Sequence, residues 1–328
     1  MMWVKTIFSF FLVLFIACAK HEGFRTYYGE IQGTTFSIKY DYSERDMEDE
    51  IDSILASMDA HFSTYIGNSM ISHVNQSSVP IEVDDVFTDL WEKCWDLNIA
   101  TNGFFDPTLE PILTLYDFDK GIDLLIDSSK IENALNQTGM HLIRLEDNIL
   151  SKKSKEVRLN FNAVAQGYSV DMIADYFESI GVKNYMVEIG GELRVKGVND
   201  KKELWVIGID KPLINKPREL LVKTSLNDMS LATSGNYRKF KRINGINVGH
   251  IINPKTGYAE QSTVLSVSVL TPKCYMADGM ATAFMNMPVE EIMQMDQENP
   301  DMSVIVIYLK SMDTTVYISP DIKTAYLN

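Results

Sequence analysis

Hydrophobic positions in the first half of the chain recur mostly at helical spacing. Residues 43–62 carry apolar side chains three or four positions apart, and acidic residues stand at the start, where the helix dipole favours them. The same spacing predicts helices over 84–100, 128–138 and 164–180, each followed within three residues by a glycine that marks its end. Residues 30–40 alternate apolar and polar positions instead, which predicts a strand.

The pattern changes in the second half, where short segments rich in Val, Ile and Leu predict strands. These strands cover 185–189, 193–195, 204–209, 219–224 and 264–270, and they are followed by helices over 276–287 and 289–295 and a closing hairpin of 302–309 with 314–318. Helices and strands interleave without a regular βαβ repeat, so we expect an α+β fold of mixed sheets with flanking helices. We expect Ser169, Asp171 and Asp175 on the polar side of the 164–180 helix.

A short apolar segment stands at the N-terminus. Lys5 precedes an apolar stretch over 6–17, which has the length of a signal peptide and not of a membrane span. Ala17 followed by Cys18 resembles the cleavage site of a bacterial lipoprotein, although Phe15 is uncommon there. We therefore expect residues 1–17 to be a signal peptide, Cys18 to carry lipid, and 18–328 to form one domain anchored at the bacterial inner membrane and facing the periplasm. The alternative is an ordinary signal peptide with an incidental cysteine.

Composition and charge narrow the function classes. The chain has 45 acidic and 30 basic side chains, a net charge of −15, so a nucleic-acid partner is not expected. The remaining cysteines, Cys94 and Cys274, lie in apolar surroundings and are expected to be buried thiols. The sequence contains neither a glycine-rich nucleotide-binding motif nor the G-x-S-x-G motif of serine hydrolases, and its histidines and cysteines lack the spacing of a zinc site. General motifs therefore do not assign a function.

Five local patterns in chain order carry more information. They are Gly33-Thr34-Thr35-Phe36-Ser37-Ile38, the segment 62–75 around Phe62-Ser63-Thr64-Tyr65, Thr101-Asn102-Gly103-Phe104-Phe105-Asp106-Pro107-Thr108, the pair of segments 160–171 and 188–193, and the run from 232–237 through 250–257 to 277–283. Together they resemble the ApbE family of FAD:protein FMN transferases, over about residues 29–309. The resemblance implies an exported protein that binds FAD and Mg²⁺, splits the FAD pyrophosphate, transfers FMN to a threonine of an acceptor protein and releases AMP. It also implies a flavin site in a cleft between two parts of the chain, and acceptors among the flavin-bearing subunits of membrane redox complexes.

The resemblance implies a set of FAD contacts. These are Gln32, Tyr65, Phe104, Phe105, Asp106, Asn160, Gln166 and Ile252. Aromatic rings suit the flat ring systems of FAD, but Phe104 and Phe105 could equally pack in a core. Many family members have Asp and Lys where this chain has Asn160 and Gln166, so the two amides are either a matched neutral replacement or tolerant positions. Asn253 and Glu192 also depart from the family pattern, which puts fine geometry in doubt.

A magnesium site is expected on the predicted helix 276–287. Asp278 and Thr282 are four residues apart and share one helix face, and a carboxylate with a hydroxyl suits Mg²⁺. The residues alone leave open that Asp278 simply caps the helix. It is the resemblance that implies Asp278 and Thr282 as metal ligands, together with the backbone carbonyl of Ala163 as a third.

The last candidate is His250, whose family counterpart has been proposed as the base that activates the acceptor threonine. The alternative is a histidine packed in a strand. Gly190, Gly191 and Gly235 are expected to form tight turns beside the ligand.

Two rival functions remain open: a Mg²⁺-dependent FAD pyrophosphatase that uses water as the nucleophile, and a non-enzymatic FAD-binding lipoprotein.

Overall fold

The computed structural model describes residues 23–116, 127–212, 219–235, 240–243, 246–249, 251–259, 262–311, 313–322 and 324–326. Within these ranges the helices are α1 (Glu48–Phe62), α2 (Met70–Gln76), α3 (Asp85–Ala100), α4 (Glu110–Tyr116), α5 (Ser128–Leu135), α6 (Ala165–Ser179), α7 (Cys274–Phe284) and α8 (Val289–Glu298), with one 3-10 turn at Met140–Leu142. Across this described part of the chain, none of the helices combines the length and apolar character that crossing a membrane requires.

The strands form one large sheet and three small ones. In chain order they are β1 (Arg25–Ile31), β2 (Thr34–Tyr40), β3 (Ile81–Glu82), β4 (Ile143–Glu146), β5 (Ile149–Lys152), β6 (Tyr185–Ile189), β7 (Glu192–Lys196), β8 (Trp205–Asp210), β9 (Leu220–Leu226), β10 (Met229–Gly235), β11 (Phe240–Ile243), β12 (Ile246–Gly249), β13 (Val264–Thr271), β14 (Ser303–Lys310), β15 (Asp313–Ile318) and β16 (Thr324–Tyr326). The large sheet has the order β1-β2-β6-β7-β10-β13-β14-β15, and the small sheets are β16-β9-β8, β3-β5-β4 and β11-β12. The recorded pairings between these strands are antiparallel.

Apolar side chains on both faces of the large sheet are buried, and alternation along the strands assigns each residue to a face. On β14, Val304 and Val306 join the core under the helices, whereas Ile305 between them packs with Trp205 of β8 on the opposite face. Leu193 of β7 belongs to that second cluster as well. The large sheet is therefore a middle layer, with helices on one face and the β16-β9-β8 sheet on the other.

The predicted α+β architecture with sheets and flanking helices is confirmed. The predicted helices over 84–100 and 164–180 match α3 and α6 closely, and Asp84 caps α3 by accepting a hydrogen bond from the N–H of Phe87. Cys94 and Cys274 are buried, as expected.

Two predictions about local structure were wrong, and one alternative that the sequence left open is excluded. Residues 30–40 form a hairpin and not one strand, because the chain turns at Gln32 and Gly33, whose φ angles are +52° and +71°. Ser169 and Asp171 are buried and do not form a polar outer side of α6. Asp278 does not cap a helix, because α7 begins four residues earlier, at Cys274.

Candidate functional site

Two hairpin turns lie side by side at one end of the large sheet. One joins β1 to β2 at Gln32 and Gly33, and the other joins β6 to β7 at Gly190 and Gly191, whose φ angles are +68° and +116°. β2 pairs with β6, and the N–H of Gly190 donates to the carbonyl of Thr35 at 3.0 Å. The prediction of tight turns at the Gly190–Gly191 pair is confirmed, and it brings Gln32 next to the start of β7.

Gln32 also contacts the N-terminal half of α6. Its Nε2 donates to Oγ of Ser169 at 2.9 Å, and that hydroxyl donates to the carbonyl of Ala165. The other amide atom, Oε1, is buried without a hydrogen-bond partner among the described residues. Buried acceptors are normally satisfied, so this oxygen marks a place where a ligand donor fits.

Strand alternation places Glu192 and Arg194 on the helix face of the sheet. Leu193 and Val195 of β7 belong to the core on the opposite face, so their neighbours point toward α6 and α7. Glu192 is 9% exposed. Its Oε2 and the Oε1 of Gln166 each lie 3.1 Å from the position that a Cβ on Gly190 would occupy. Both side chains therefore converge on the Gly190 turn.

α6 and α7 approach each other closely at Gly167. A Cβ at this position would lie 2.5 Å from the carbonyl oxygen of Cys274 and 2.8 Å from Cβ of Asp278, so only glycine allows this packing. The N–H of Gly167 donates to Oδ2 of Asp278 at 3.0 Å. In an uninterrupted helix it would pair with the carbonyl of Ala163, but Val164 is not helical, with φ −152° and ψ −17°. Asp278 therefore faces the turn that carries Ala163.

Asp278 lies near a second buried carboxylate, that of Glu192. Asp278 is 8% exposed, and burial together with the neighbouring carboxylate of Glu192 raises its pKa well above the usual range, against the opposing effect of the Gly167 hydrogen bond. Thr282 lies one turn further along the same face of α7 and is half-buried. Two buried carboxylates, a hydroxyl and a backbone carbonyl are hard oxygen donors, which is the ligand chemistry that Mg²⁺ prefers.

A second group of predicted residues lies on the loop after α3. Phe104 is half-buried, and the ammonium of Lys255 lies 3.8 Å from the centre of its ring. Phe105 is 2% exposed and belongs to the main core, so its ring follows the core-packing alternative. Asp106 accepts hydrogen bonds from the N–H and hydroxyl of Thr108, and burial raises its pKa.

The turn at residues 160–164 connects the two groups. Asn160 donates from its backbone N–H to the carbonyl of Pro107 at 2.7 Å and from Nδ2 to Glu110 at 2.8 Å. It therefore touches the loop of Phe104 while standing three residues before Ala163. Tyr65 lies three residues after Phe62, whose ring packs edge-on against Phe161 in this turn, and Tyr65 is 79% exposed.

The remaining predicted residues are Ile252, which lies in a small core, and His250 and Cys18. Ile252 is 3% exposed in a small core with Ile112 and Tyr116, and its carbonyl accepts a hydrogen bond from Asn286 at 3.0 Å. His250 and Cys18 lie outside the described residues.

Sequence reasoning did not assign three neighbours of the predicted site. Glu192 was noted only as a departure from a motif, although a carboxylate straight after two glycines at a hairpin turn was the available signal. Glu110 and Lys255 carried no signal of their own, because their contacts with Asn160 and Phe104 join residues distant in the sequence.

Known proteins resemble this chain over most of its length. The profile of the ApbE family matches residues 32–306. The FAD:protein FMN transferase of Vibrio cholerae is 35% identical over 308 residues, which cover 90% of this chain and 91% of that protein. The corresponding protein of Haemophilus influenzae is 32% identical over 298 residues, 86% of each chain.

Solved structures agree with these relatives. The flavin transferase ApbE from Vibrio cholerae superposes with a TM-score of 0.82 at 33% identity and covers 90% of this chain and 97% of its own. The apo flavinyl transferase ApbE of Pseudomonas stutzeri gives a TM-score of 0.80 at 26% identity, over 90% of this chain and 95% of its own. With matches of this extent in both sequence and fold, the chain belongs to the ApbE family.

Proposed function

We propose that this protein is an FAD:protein FMN transferase. The observation that carries the proposal is the buried Asp278 held against Gly167 at the Ala163 turn, in a chain that is 35% identical to such a transferase over 90% of its length. The acceptor threonine hydroxyl attacks the FMN-side phosphorus of FAD, a phosphoester bond forms, the pyrophosphate bond breaks and AMP leaves. We propose a flavin-bearing subunit of a membrane redox complex as the acceptor.

The residues around Asp278 fit Mg²⁺. Asp278, Thr282 and the carbonyl of Ala163 would hold the ion, and the nearby Glu192 adds a second negative charge. The described residues contain no group of three or more His, Cys, Asp or Glu side chains suited to a metal. Mg²⁺ usually takes few protein ligands and leaves positions to water and phosphate oxygens, which matches the small set proposed here. When bound, Mg²⁺ would neutralise the charge that develops on the pyrophosphate oxygens.

The protein itself contributes binding and orientation. Tyr65 and Phe104 offer aromatic faces for the ring systems of FAD, and Gln32 offers its buried oxygen to a donor on the ligand. Lys255, above the Phe104 ring, would offer a positive charge to an anionic ligand bound beside that ring. Such positioning supplies much of the catalysis when phosphoryl groups are transferred.

Incubation with FAD and Mg²⁺, with and without an acceptor subunit, tests the proposed activity by following AMP. We expect AMP to form only when the acceptor is present. AMP formed at the same rate without acceptor would indicate the pyrophosphatase, and bound FAD with no AMP in either sample would indicate a flavin-binding protein. The Asp296→Asn variant, which alters a buried carboxyl on α8, serves as a control protein in this assay.

Glu192→Gln should stabilise the metal-free protein. It removes one of two neighbouring buried carboxyl groups, and the repulsion from Glu192 is one of the causes that raise the pKa of Asp278. We therefore expect the melting temperature without metal to rise by about 2 °C or more, while the further rise on adding Mg²⁺ becomes smaller.

Thermal unfolding with and without Mg²⁺ measures both effects, with Glu188→Gln as the control on the same hairpin. Glu188 accepts a hydrogen bond from the N–H of Gly191, and it is not among the charges that raise the pKa of Asp278. A lower melting temperature of Glu192→Gln together with an unchanged response to Mg²⁺ would show that Glu192 has a structural role only.

We also propose that the protein is a lipoprotein anchored through Cys18. Cys18→Ser should remove the lipid and release the protein from the membrane fraction into the periplasm. Metabolic labelling with a radioactive fatty acid, followed by fractionation, measures this, and Cys94→Ser serves as the control because Cys94 is a buried thiol. Unchanged labelling of the Cys18→Ser protein would contradict the anchor.

A further inference from the structure

The first turn of α7 is capped by a residue from another helix. The residue before α7, Lys273, makes no side-chain hydrogen bond to the helix. Instead, Oδ2 of Asp171 in the middle of α6 accepts the hydrogen bond of the Tyr275 N–H at 2.8 Å. The first N–H groups of a helix lack partners within it, so a carboxylate at this point also favours the helix dipole.

This cap forms one half of a reciprocal contact between the two helices. Asp171 of α6 accepts from the backbone of α7, and Asp278 of α7 accepts from the backbone of α6 at Gly167. The two contacts are one helical turn apart on α6 and about one turn apart on α7. We call this pair of contacts the α6–α7 clasp. Because it fixes α7 at two points, it sets where the Asp278 carboxylate stands relative to Ala163.

Arg194 holds the other oxygen of Asp171. Its guanidinium donates to Oδ1 of Asp171 at 2.9 Å, and also to Asp175 at 2.7 Å and Glu178 at 2.8 Å. Arg194 and Asp171 are 8% and 4% exposed. Such a contact fixes the geometry of Asp171, because this buried carboxylate cannot turn away without losing its charged partner.

Arg194 and Glu192 also share one strand and one face. β7 thus connects the clasp to the second carboxylate beside Asp278. The arrangement links α6, α7 and the sheet at the point where the metal ligands are proposed to meet.

We propose that Asp171 and Arg194 are positioning residues that hold Asp278 in place for the metal through the α6–α7 clasp. The inference rests on the Mg²⁺ site proposed above. Mg²⁺ requires short distances and near-octahedral geometry, so a small displacement of α7 weakens binding even when every ligand is still present. Residues that orient metal ligands typically contribute 10- to 100-fold to metal affinity.

Binding of Mn²⁺, measured by electron paramagnetic resonance on the full-length protein, tests this inference without any turnover. Asp171→Ala removes the cap and is expected to weaken Mn²⁺ binding by about 10- to 100-fold. Asp171→Asn is the second variant, in case the alanine protein does not fold. Its amide nitrogen cannot accept a hydrogen bond, so it cannot satisfy both Arg194 and Tyr275, and weaker binding is expected again.

Asp175→Asn is the matched control. Asp175 lies on the same helix and contacts the same Arg194, but its other partner is the side chain of Lys273 and not the backbone of α7. We expect Asp175→Asn to lower the melting temperature without changing Mn²⁺ affinity.

The outcomes separate the two claims. Mn²⁺ affinity equal to wild type in a folded Asp171 variant would overturn the positioning role while leaving the metal site standing. An equal loss of affinity in the Asp171 and Asp175 variants would also overturn it, because the effect would then be one of general stability. A wild-type protein that binds no Mn²⁺ would overturn the magnesium site, and this inference with it.

Discussion

Replacing Asp278 with alanine should reduce FMN transfer by about 10²- to 10³-fold or more, the scale of a lost electrostatic stabiliser. Asp278 is the buried carboxylate at the closest approach of α6 and α7, and it is the charged residue proposed to hold Mg²⁺. FAD affinity measured without metal should change little, because the proposed aromatic contacts, Tyr65 and Phe104, lie on other segments of the chain. The measurement is the transfer rate at saturating FAD over a series of Mg²⁺ concentrations.

Asp296→Asn is the control for this experiment. Asp296 is also 8% exposed, but it lies on α8 and accepts hydrogen bonds from Ser319 and from Tyr317 of the edge strand β15. That substitution should lower stability and leave the dependence on Mg²⁺ unchanged. An Asp278→Ala protein with normal rates at low Mg²⁺ would remove Asp278 from the metal site.

Replacing His250 with alanine should slow FMN transfer by about 10²- to 10⁴-fold, as expected for the loss of a general base. A threonine hydroxyl is a poor nucleophile near neutral pH, and a histidine can accept its proton. FAD and metal binding should remain, since the proposed ligands of both are other residues. Raising the pH should partly restore the rate of the variant, because more of the hydroxyl is then deprotonated.

A pH series of transfer by wild type and variant, with FAD affinity measured separately, tests this role. His73→Ala, an exposed histidine on α2, is the control and should behave as wild type. If FAD affinity falls as much as the rate, His250 binds the substrate. If neither quantity changes, it is a packed histidine without a catalytic role.

Much of the fold could be predicted from local patterns. The helices α3 and α6 follow from apolar spacing, an N-cap aspartate or a following glycine, and the β6–β7 hairpin follows from its two glycines. The turn at Gln32 was missed because glutamine rarely adopts a positive φ. The alternation of apolar and polar residues therefore predicted one continuous strand across it. The sheet order could not be predicted, because β7 next to β10 and β10 next to β13 are long-range pairings that local pattern does not encode.

The candidate site also contains residues that local sequence pattern predicts and residues that only the fold brings together. Asp278 and Thr282 share a face because they are four residues apart on one helix, which spacing alone predicts. The burial of Asp171 could not be predicted, because an aspartate on a helix usually faces solvent. Its partners, Arg194 on β7 and Tyr275 on α7, come together only when the two helices pack on the sheet.

The most direct test of the proposed transfer is the intact mass of an acceptor subunit after incubation with this protein, FAD and Mg²⁺. We expect the acceptor to gain the mass of FMN less one water, with one AMP released for each acceptor modified. An acceptor whose target threonine is replaced by alanine should keep its original mass. An unmodified wild-type acceptor, in a sample where FAD has been split to free FMN and AMP, would contradict the transfer reaction.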